Sequence, residues 1–295
     1  GVHVSSSVTE QGQGTNAILQ QIVAGVLGVD IARVKVTTGD TRTTPYGGGT
    51  WASRGAGIGG EAALLAAQAL KEQVLDVAAV ILQTQADKLD VADGSVVDAG
   101  GGAARMTLSD LARTVYYRGN ELPSDMKPEL VATRHYRVTD MPFVFTNGAM
   151  AAEVEVDVET GFVRVVNFWA VEDCGRVINP RLVDEQVRGG VVQGIGGALY
   201  EECLYSEDGQ LLTTTMADYL VPMAAEMPDI HVAHIETPTK TSILGAKGAG
   251  EAGTGGAPAA VMNAVNDALR PLGASIFQMP MTPARVLAAL GRSGH

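Results

Sequence analysis

"AAEVEVDVETGFVRVVNFWAVED", from Ala151 to Asp173, decides the fold class. Apolar and polar residues alternate on both sides of Glu159-Thr160-Gly161, which predicts two antiparallel strands joined by a tight turn. Next comes "NPRLVDEQVRGGVVQGIGGALYEE", where the spacing turns helical, with Asn179 as cap and Pro180 at the first helical position. Towards the start of the chain, "TNAILQQIVAGVLGV" sets Ile18, Ile22, Val26 and Leu27 at helical spacing and closes on Gly28. "ARVKVTTGD" reads as a strand, and an Ala/Leu helix follows from about Glu61 to Leu82. Short strands run to about Gly102, and "TLSDLARTVYY" is a helix capped by Thr107 or Ser109. Residues 119–148 look irregular and hold Pro123, Pro128 and Pro142. Beyond the hairpin, more strands are expected over 204–237. A glycine-rich loop then leads to a helix opened by Pro258, and "TPARVLAAL" is a last helix. No period repeats, and strands and helices mix without regular βαβ alternation. The expected class is α+β in two lobes, residues 1–147 and 148–295.

Composition narrows the function. The chain has 295 residues, 46% hydrophobic and 18% charged, which is ordinary globular material. Lys and Arg number 21 against 33 Asp and Glu, a net charge of −12. No Lys/Arg run occurs, so nucleic acid and anionic membrane are not expected partners. Charge interrupts every apolar stretch before a membrane span's length. The two cysteines, Cys174 and Cys203, form no C-x-x-C and read as small core residues. They fit a reducing compartment, the cytoplasm, and cannot by themselves ligate an iron–sulfur cluster or zinc. "GVHVSSSVTE" has strand composition from Val2 to Val8 and neither initiator Met nor signal peptide, so a fragment or processed subunit is expected.

Some motifs mislead. "GAGIGG" (Gly55–Gly60) matches G-x-G-x-x-G, but no hydrophobic strand precedes it and the segment beyond stays helical, so a dinucleotide site is not expected. "GAKGAGE" lacks the Lys-Ser/Thr ending of a phosphate-cradling P-loop. His231 and His234 in "HVAH" would point to opposite faces of a strand and read as ordinary strand histidines rather than a metal pair.

Four segments are too rich in glycine for ordinary core: "EQGQGTNA" (10–17), "GGGTWASRGAG" (47–57), "VVQGIGGALYEE" (191–202) and "GAKGAGEAGTGG" (245–256). Each opens a helix or is expected near its start, where bare backbone N–H groups bind anions. Gln13 and Gln193 add amides that donate and accept at once, as an oxo group or pterin edge requires. Taken singly, each segment reads as a tight turn with close helix packing; together they resemble something more specific.

"EQGQGT", "TPYGGGTWASRGA", "VINPRLVDEQVRGGVVQGIGGALYEE" and "GAKGAGEAGTGGAPAA" resemble, in order and over nearly the whole chain, the C-terminal molybdopterin-binding region of the large subunit in the xanthine oxidase family of molybdenum hydroxylases. The resemblance implies an oxidoreductase that hydroxylates an aldehyde or N-heteroaromatic carbon with water as oxygen source. Its cofactor would be molybdenum–molybdopterin, with or without a cytosine nucleotide. Iron–sulfur clusters and FAD are expected on other chains or domains. The implied partners are the N-terminal half of the molybdenum subunit, the iron–sulfur and flavin subunits, a small-molecule substrate and further copies in a higher-order oligomer.

Site roles follow by position. Gly12, Gln13 and Gly14 would contact the pterin or its phosphate; Thr50, Ala52, Ser53 and Gly55 would lie along both. Gln193 would hydrogen-bond near the pterin and metal, and Lys247 and Gly250 match the motif around Glu251, the implied catalytic base. No side chain ligates the metal in that family. Hydroxylation needs a proton acceptor, and a carboxylate within reach is typically worth roughly 10²–10⁴ in rate. Local sequence alone also allows Glu251 to be a solvated acid complementing a helix dipole. A different class stays open as well: this chain by itself as a catalytically silent cofactor-binding module that needs a partner chain.

Overall fold

The computed structural model describes residues 1–138 and 144–292 and divides the chain into two compact units, Gly1–Phe143 with Thr241–Leu244, and Val144–Lys240 with Gly245–His295. Pro142, within the stretch expected to be irregular, lies outside the described residues.

In the first unit, β1 (Val2–Ser5) and β2 (Val34–Thr37) pair in parallel, with α1 (Thr15–Leu27) as the crossover between them. Gly28 ends α1 at φ +56, and a Cβ there would stand 2.4 Å from the Val91 carbonyl oxygen, so only glycine fits. The expected long helix is α2 (Glu61–Leu82), preceded by a π-helix over Gly55–Gly60 in place of a phosphate loop. The two halves of α2 serve different cores. Ala63 and Ala67 pack with Leu19, Val23 and Leu27 of α1; Val74, Val77 and Ala78 pack beneath a three-stranded antiparallel sheet. That sheet is β3 (Leu89–Ala92), β4 (Ser95–Asp98) and β5 (Ala104–Thr107). Thr107 caps α3 (Leu108–Tyr117), its hydroxyl oxygen accepting from the Asp110 N–H at 3.1 Å.

The second unit carries the expected hairpin, β6 (Asn147–Val156) and β7 (Val163–Asp173). Asp157 organises its turn, accepting from the N–H groups of Glu159 and Thr160 while Gly161 sits at φ +78. β8 (Asp229–His234) adds in parallel to β7. It is the one named strand among the described residues of 204–237; elsewhere there Ser206–Gln210 and Thr215–Asp218 hydrogen bonds close local turns that compete with a ladder. The two β8 histidines lead separate lives, as their spacing implied: His231 stacks on Trp169, while half-buried His234 bonds Asp184 at 2.6 Å. Cys174 is buried as expected, but Cys203 is exposed, because it falls in the irregular chain beyond the helix that precedes it.

Phe168, Val165 and Ala170 of the hairpin pack against α4 (Pro180–Leu199) and α5 (Ala252–Leu269). Two expectations change here. "VVQGIGGALYEE" forms the end of α4 rather than the start of a helix. And α5 begins at Ala252, not at Pro258, which lies inside it. The reason is contact. A Cβ on Gly253 would stand 2.2 Å from the Val187 carbonyl oxygen, one on Gly190 2.9 Å from the Gly253 Cα, and one on Gly194 2.5 Å from the Ala257 Cβ. These glycines let the backbones of α4 and α5 touch, so helix packing overrides the low helix propensity of the run. A last helix, α6 (Pro283–Ala289), closes this core.

Gly253→Ala should therefore cost about 1–3 kcal/mol through overpacking. Gly255→Ala, where a Cβ meets nothing within 4 Å, should instead stabilise the helix by roughly 0.5–1 kcal/mol. Thermal melts of the two variants against the unaltered protein check the pair.

Candidate functional site

Two turns meet in the first unit. At the glycine-rich start of α1 the chain supplies an anion of its own. The Glu10 carboxylate accepts from the N–H groups of Gly12 at 2.9 Å, Gly14 at 3.0 Å and Asn16 at 2.9 Å. Burial lifts its pKa, but these hydrogen bonds outweigh burial and hold the carboxyl below the usual range. Gly14, at φ +85, is the N-cap and has no side chain to cap with, so Glu10 does that work. Gln13 is tied inward: its Oε1 accepts from Gln11 N–H at 2.6 Å, and its Nε2 donates to the Thr9 carbonyl at 3.0 Å and to Thr15 Oγ1 at 2.9 Å.

The second turn is clasped to the first by Thr9 and Thr50. Thr50 Oγ1 accepts from Thr9 N–H at 2.8 Å and donates to the Thr9 carbonyl at 2.9 Å, while Thr50 N–H donates to Thr9 Oγ1 at 3.2 Å. Next to the clasp, Ala52 and Ser53 are both left-handed, φ +48 and +55. Non-glycine residues there cost of order 1–3 kcal/mol each and cluster at functional sites. Ser53 in the left-handed region is followed by Arg54 in the right-handed one, and the Arg54 N–H donates to the Trp51 carbonyl at 3.2 Å, which closes the turn on itself. Arg54 donates to the Gly47 carbonyl at 3.0 Å and lies over the Trp51 ring; its buried Nε has no partner among the described residues. Gly55 allows close approach, since a Cβ would reach Thr15 Oγ1 at 3.2 Å. The features of this turn that fit a phosphate-bearing group are the unpartnered Arg54 Nε and the close approach that Gly55 permits.

In the second unit the glutamate segment is pinned from several sides. Lys247 donates to Asp173 Oδ2 at 3.2 Å and Thr237 Oγ1 at 2.8 Å, and its own N–H donates to the Cys174 carbonyl at 2.7 Å. Its ammonium is thus engaged within the protein. Asp173 also accepts from the Gly175 N–H at 2.9 Å and the Thr237 N–H at 3.1 Å. Burial pushes the Asp173 carboxyl up, but the hydroxyl and N–H of Thr237, the Gly175 N–H and the Lys247 ammonium together lower it to about 2. Further along, the Thr146 hydroxyl donates to the Gly248 carbonyl, and Gln186 Nε2 donates to the Gly250 carbonyl at 2.7 Å. Glu251 is exposed at the N-cap of α5, and its carbonyl takes the Gly255 N–H at 3.1 Å. One turn into α5, Thr254 Oγ1 contacts Gln193 Oε1 and the Gly190 carbonyl, both at 3.1 Å. So Gln193, Thr254 and Glu251 gather at the α4–α5 contact.

The sequence reading missed Glu10, Asp173, Thr146 and Gln186. Glu10 stood inside "EQGQGT", but an acid reaching forward over glycine N–H groups follows no helix-capping spacing. The other three lie far along the chain from the segment they hold.

Residues 1–228 match the family described as the molybdopterin cofactor-binding domain. The chain is 40% identical over 288 residues to the nicotine 6-hydroxylase large subunit of Paenarthrobacter nicotinovorans, covering 98% of this chain and 35% of that protein. It is 33% identical to the carbon monoxide dehydrogenase large chain of Hydrogenophaga pseudoflava, over 95% of this chain and 34% of that one. The crystal structure of quinoline 2-oxidoreductase from Pseudomonas putida 86 superposes with a TM-score of 0.88 at 41% identity, covering 97% of this chain and 36% of that one. The chain thus spans about a third of the length of the relatives it matches.

Asp173, with its folded pKa near 2 against 3.8, contributes stability that is present above 3.8 and lost as pH falls through 2. Asp173→Asn should cost roughly 2 kcal/mol at neutral pH, the free energy of that displacement. Denaturant midpoints of both proteins should converge as pH drops from 3.8 towards 2.

Proposed function

From the premise that the chain belongs to the molybdopterin cofactor-binding domain family, we propose that it forms part of the molybdenum subunit of a hydroxylase acting on an N-heteroaromatic carbon, with water as oxygen source. Identities of 40–41% to a nicotine 6-hydroxylase and a quinoline 2-oxidoreductase, against 33% to a carbon monoxide dehydrogenase, support that substrate class over aldehydes or carbon monoxide. The observation that carries the reading is Glu251, one carboxylate at the head of α5 on a segment whose neighbouring carbonyls are held by Thr146 and Gln186. A base must be placed to within a fraction of an ångström to be useful, and this segment is built to hold one still.

The molybdopterin group, when bound, supplies the two-electron redox chemistry of the hydroxylation. The protein's residues do the rest. The Ala52–Ser53–Arg54 turn takes the phosphate oxygens, with Thr50 and Gly55 shaping it. Gln13, between Gly12 and Gly14, faces the pterin edge after exchanging one of its loop contacts. Gln193, oriented by Thr254, hydrogen-bonds near the metal end. Glu251 accepts the proton released as water oxygen joins the substrate carbon. Lys247 and Gly250 position Glu251, Lys247 through Asp173 and Gly250 through Gln186.

Since the chain spans only about a third of its relatives' length, substrate pocket and electron path belong to the larger assembly. In it, the rest of the molybdenum subunit completes the cofactor cradle, iron–sulfur and flavin subunits carry the electrons away, and the complex works in the cytoplasm as a higher-order oligomer. The second reading, a catalytically silent cofactor-binding module, describes the chain separated from those parts, in which state it keeps its fold and loses molybdenum.

Glu251→Gln in the complete enzyme should leave molybdenum content and melting temperature nearly unchanged and slow single-turnover reduction by substrate at least ~10²-fold. A helix-dipole role alone would instead cost about 0.3–1 kcal/mol of stability with little kinetic effect. Gln13→Ala should lower molybdenum occupancy while circular dichroism stays unaltered; full loading would reduce Gln13 to a turn residue.

A further inference from the structure

In the first unit, β1 has a partner on one edge only among the described residues. It pairs with β2 in the register Ser5↔Thr37, and Ser6 N–H donates to the Thr37 carbonyl at 3.1 Å. Backbone groups alternate in direction along a strand, so Val4, two residues back, also faces β2, whereas the N–H and C=O groups of His3 and Ser5 face away from it. Among the described residues no backbone hydrogen bond receives those outward groups. They border a groove made of two cavities, about 490 Å³ and 520 Å³, which share His3, Val4, Ser5, Ala63, Ala66 and Val131 as walls.

The far wall is irregular backbone. Residues 131–135 have no regular secondary structure and make no backbone–backbone hydrogen bond among the described residues; the Val131 carbonyl is held by Gln73 at 3.2 Å and Leu130 N–H by the Tyr116 hydroxyl at 3.1 Å. The floor is the small-residue face of α2. A strand and an irregular segment thus flank an alanine-floored channel, with no backbone hydrogen bond across it among the described residues. A two-stranded sheet with an open edge is marginal, and such edges are ordinarily paired or covered.

We propose that this groove accepts one β-strand from the same large subunit, from its part outside these 295 residues, which pairs with His3 and Ser5 on one edge and with residues 131–135 on the other. This rests on the proposed reading of the chain as part of a longer subunit, and the relatives' lengths leave about two thirds of that subunit to supply the strand. The linings specify its chemistry. One half of the channel is apolar, walled by Val2, Leu70, Val74 and Leu111. The other is walled by Arg42, Arg54, Arg134, His3 and His135; among the described residues no acidic side chain lines it, and the nearest acidic partner of these cations is Asp40, 3.6 Å from Arg42 just outside the lining. The strand is therefore apolar towards α2 and carries at least one Asp or Glu at the end near Arg42 and Arg134. Main-chain pairing supplies affinity and these side-chain contacts supply register.

Hydrogen exchange on the complete subunit tests it. The His3 and Ser5 amides should be protected at least ~10²-fold, comparably to the Val4 amide in the β1–β2 ladder. Exchange of His3 and Ser5 at unprotected rates while Val4 is protected overturns the proposal. A photo-crosslinking residue in place of His3 identifies the occupant: a crosslink within the same subunit, outside these residues, supports it, whereas a crosslink to a second copy, to another subunit, or none overturns it. Ser5→Pro adds a check, since a proline whose N–H would face solvent is tolerated on a free edge but not inside a ladder; a lowered melting temperature supports the added strand. Molybdenum content of the same preparation is read separately. Protected amides in a metal-free subunit support the strand and overturn only the cofactor reading.

Discussion

The contact between Gly253 and the Val187 carbonyl sets the geometry on which the Glu251 segment depends. No side chain fits between α4 and α5 there, so the helices approach at backbone distance. That approach puts Thr254 against Gln193 and fixes where α5 starts. Glu251 is the residue at that start, so its position is inherited from helix packing rather than from its own side chain. The same contact explains a sequence that looks too glycine-rich for a helix. Gly190, Gly194 and Gly253 spend helix propensity on proximity, and the buried rows Val187, Val191, Ile195 and Val261, Val265 restore it as core.

The first unit solves a related problem by different means. Its two turns hold each other through Thr9 and Thr50, whose side chains and main chains exchange three hydrogen bonds. This clasp is the support that lets Ala52 and Ser53 stay left-handed, a conformation that persists only where its surroundings over-determine it. Glu10 performs the matching task at the head of α1, neutralising N–H groups that would otherwise attract any anion. Of two glycine-rich turns side by side, one has its N–H groups taken by its own carboxylate, and the other holds a buried Arg54 Nε without a partner among the described residues.

Charge is used sparingly and locally. The Asp173–Lys247 pair is nearly enclosed, and its value comes from the extra donors of Thr237 and Gly175, since a buried ion pair without such support barely repays its desolvation. By joining the end of β7 to the segment before Glu251, the pair couples the sheet to the proposed base. The exposed pairs, such as Arg164–Glu155, carry little stability by comparison.

The β6–β7 hairpin, α1 with its Gly28 stop, α2 from Glu61 to Leu82 and the Thr107 cap could all be read from the sequence, because each is specified by spacing and end residues within its own segment. So could the family, since its four glycine-rich blocks are local in sequence. What stayed hidden depends on partners distant along the chain. The start of α5 is decided by α4 packing against Gly253, where glycine's local preference says loop. The engagement of Lys247 is decided by Asp173 and Thr237, from two other elements. The occupant of the α1 N-terminus is Glu10, whose reach over Gly12 and Gly14 exists only once the turn is folded. Local propensity is a weak term of a few tenths of a kcal/mol per residue, and a buried contact or charge outweighs it wherever tertiary structure supplies one.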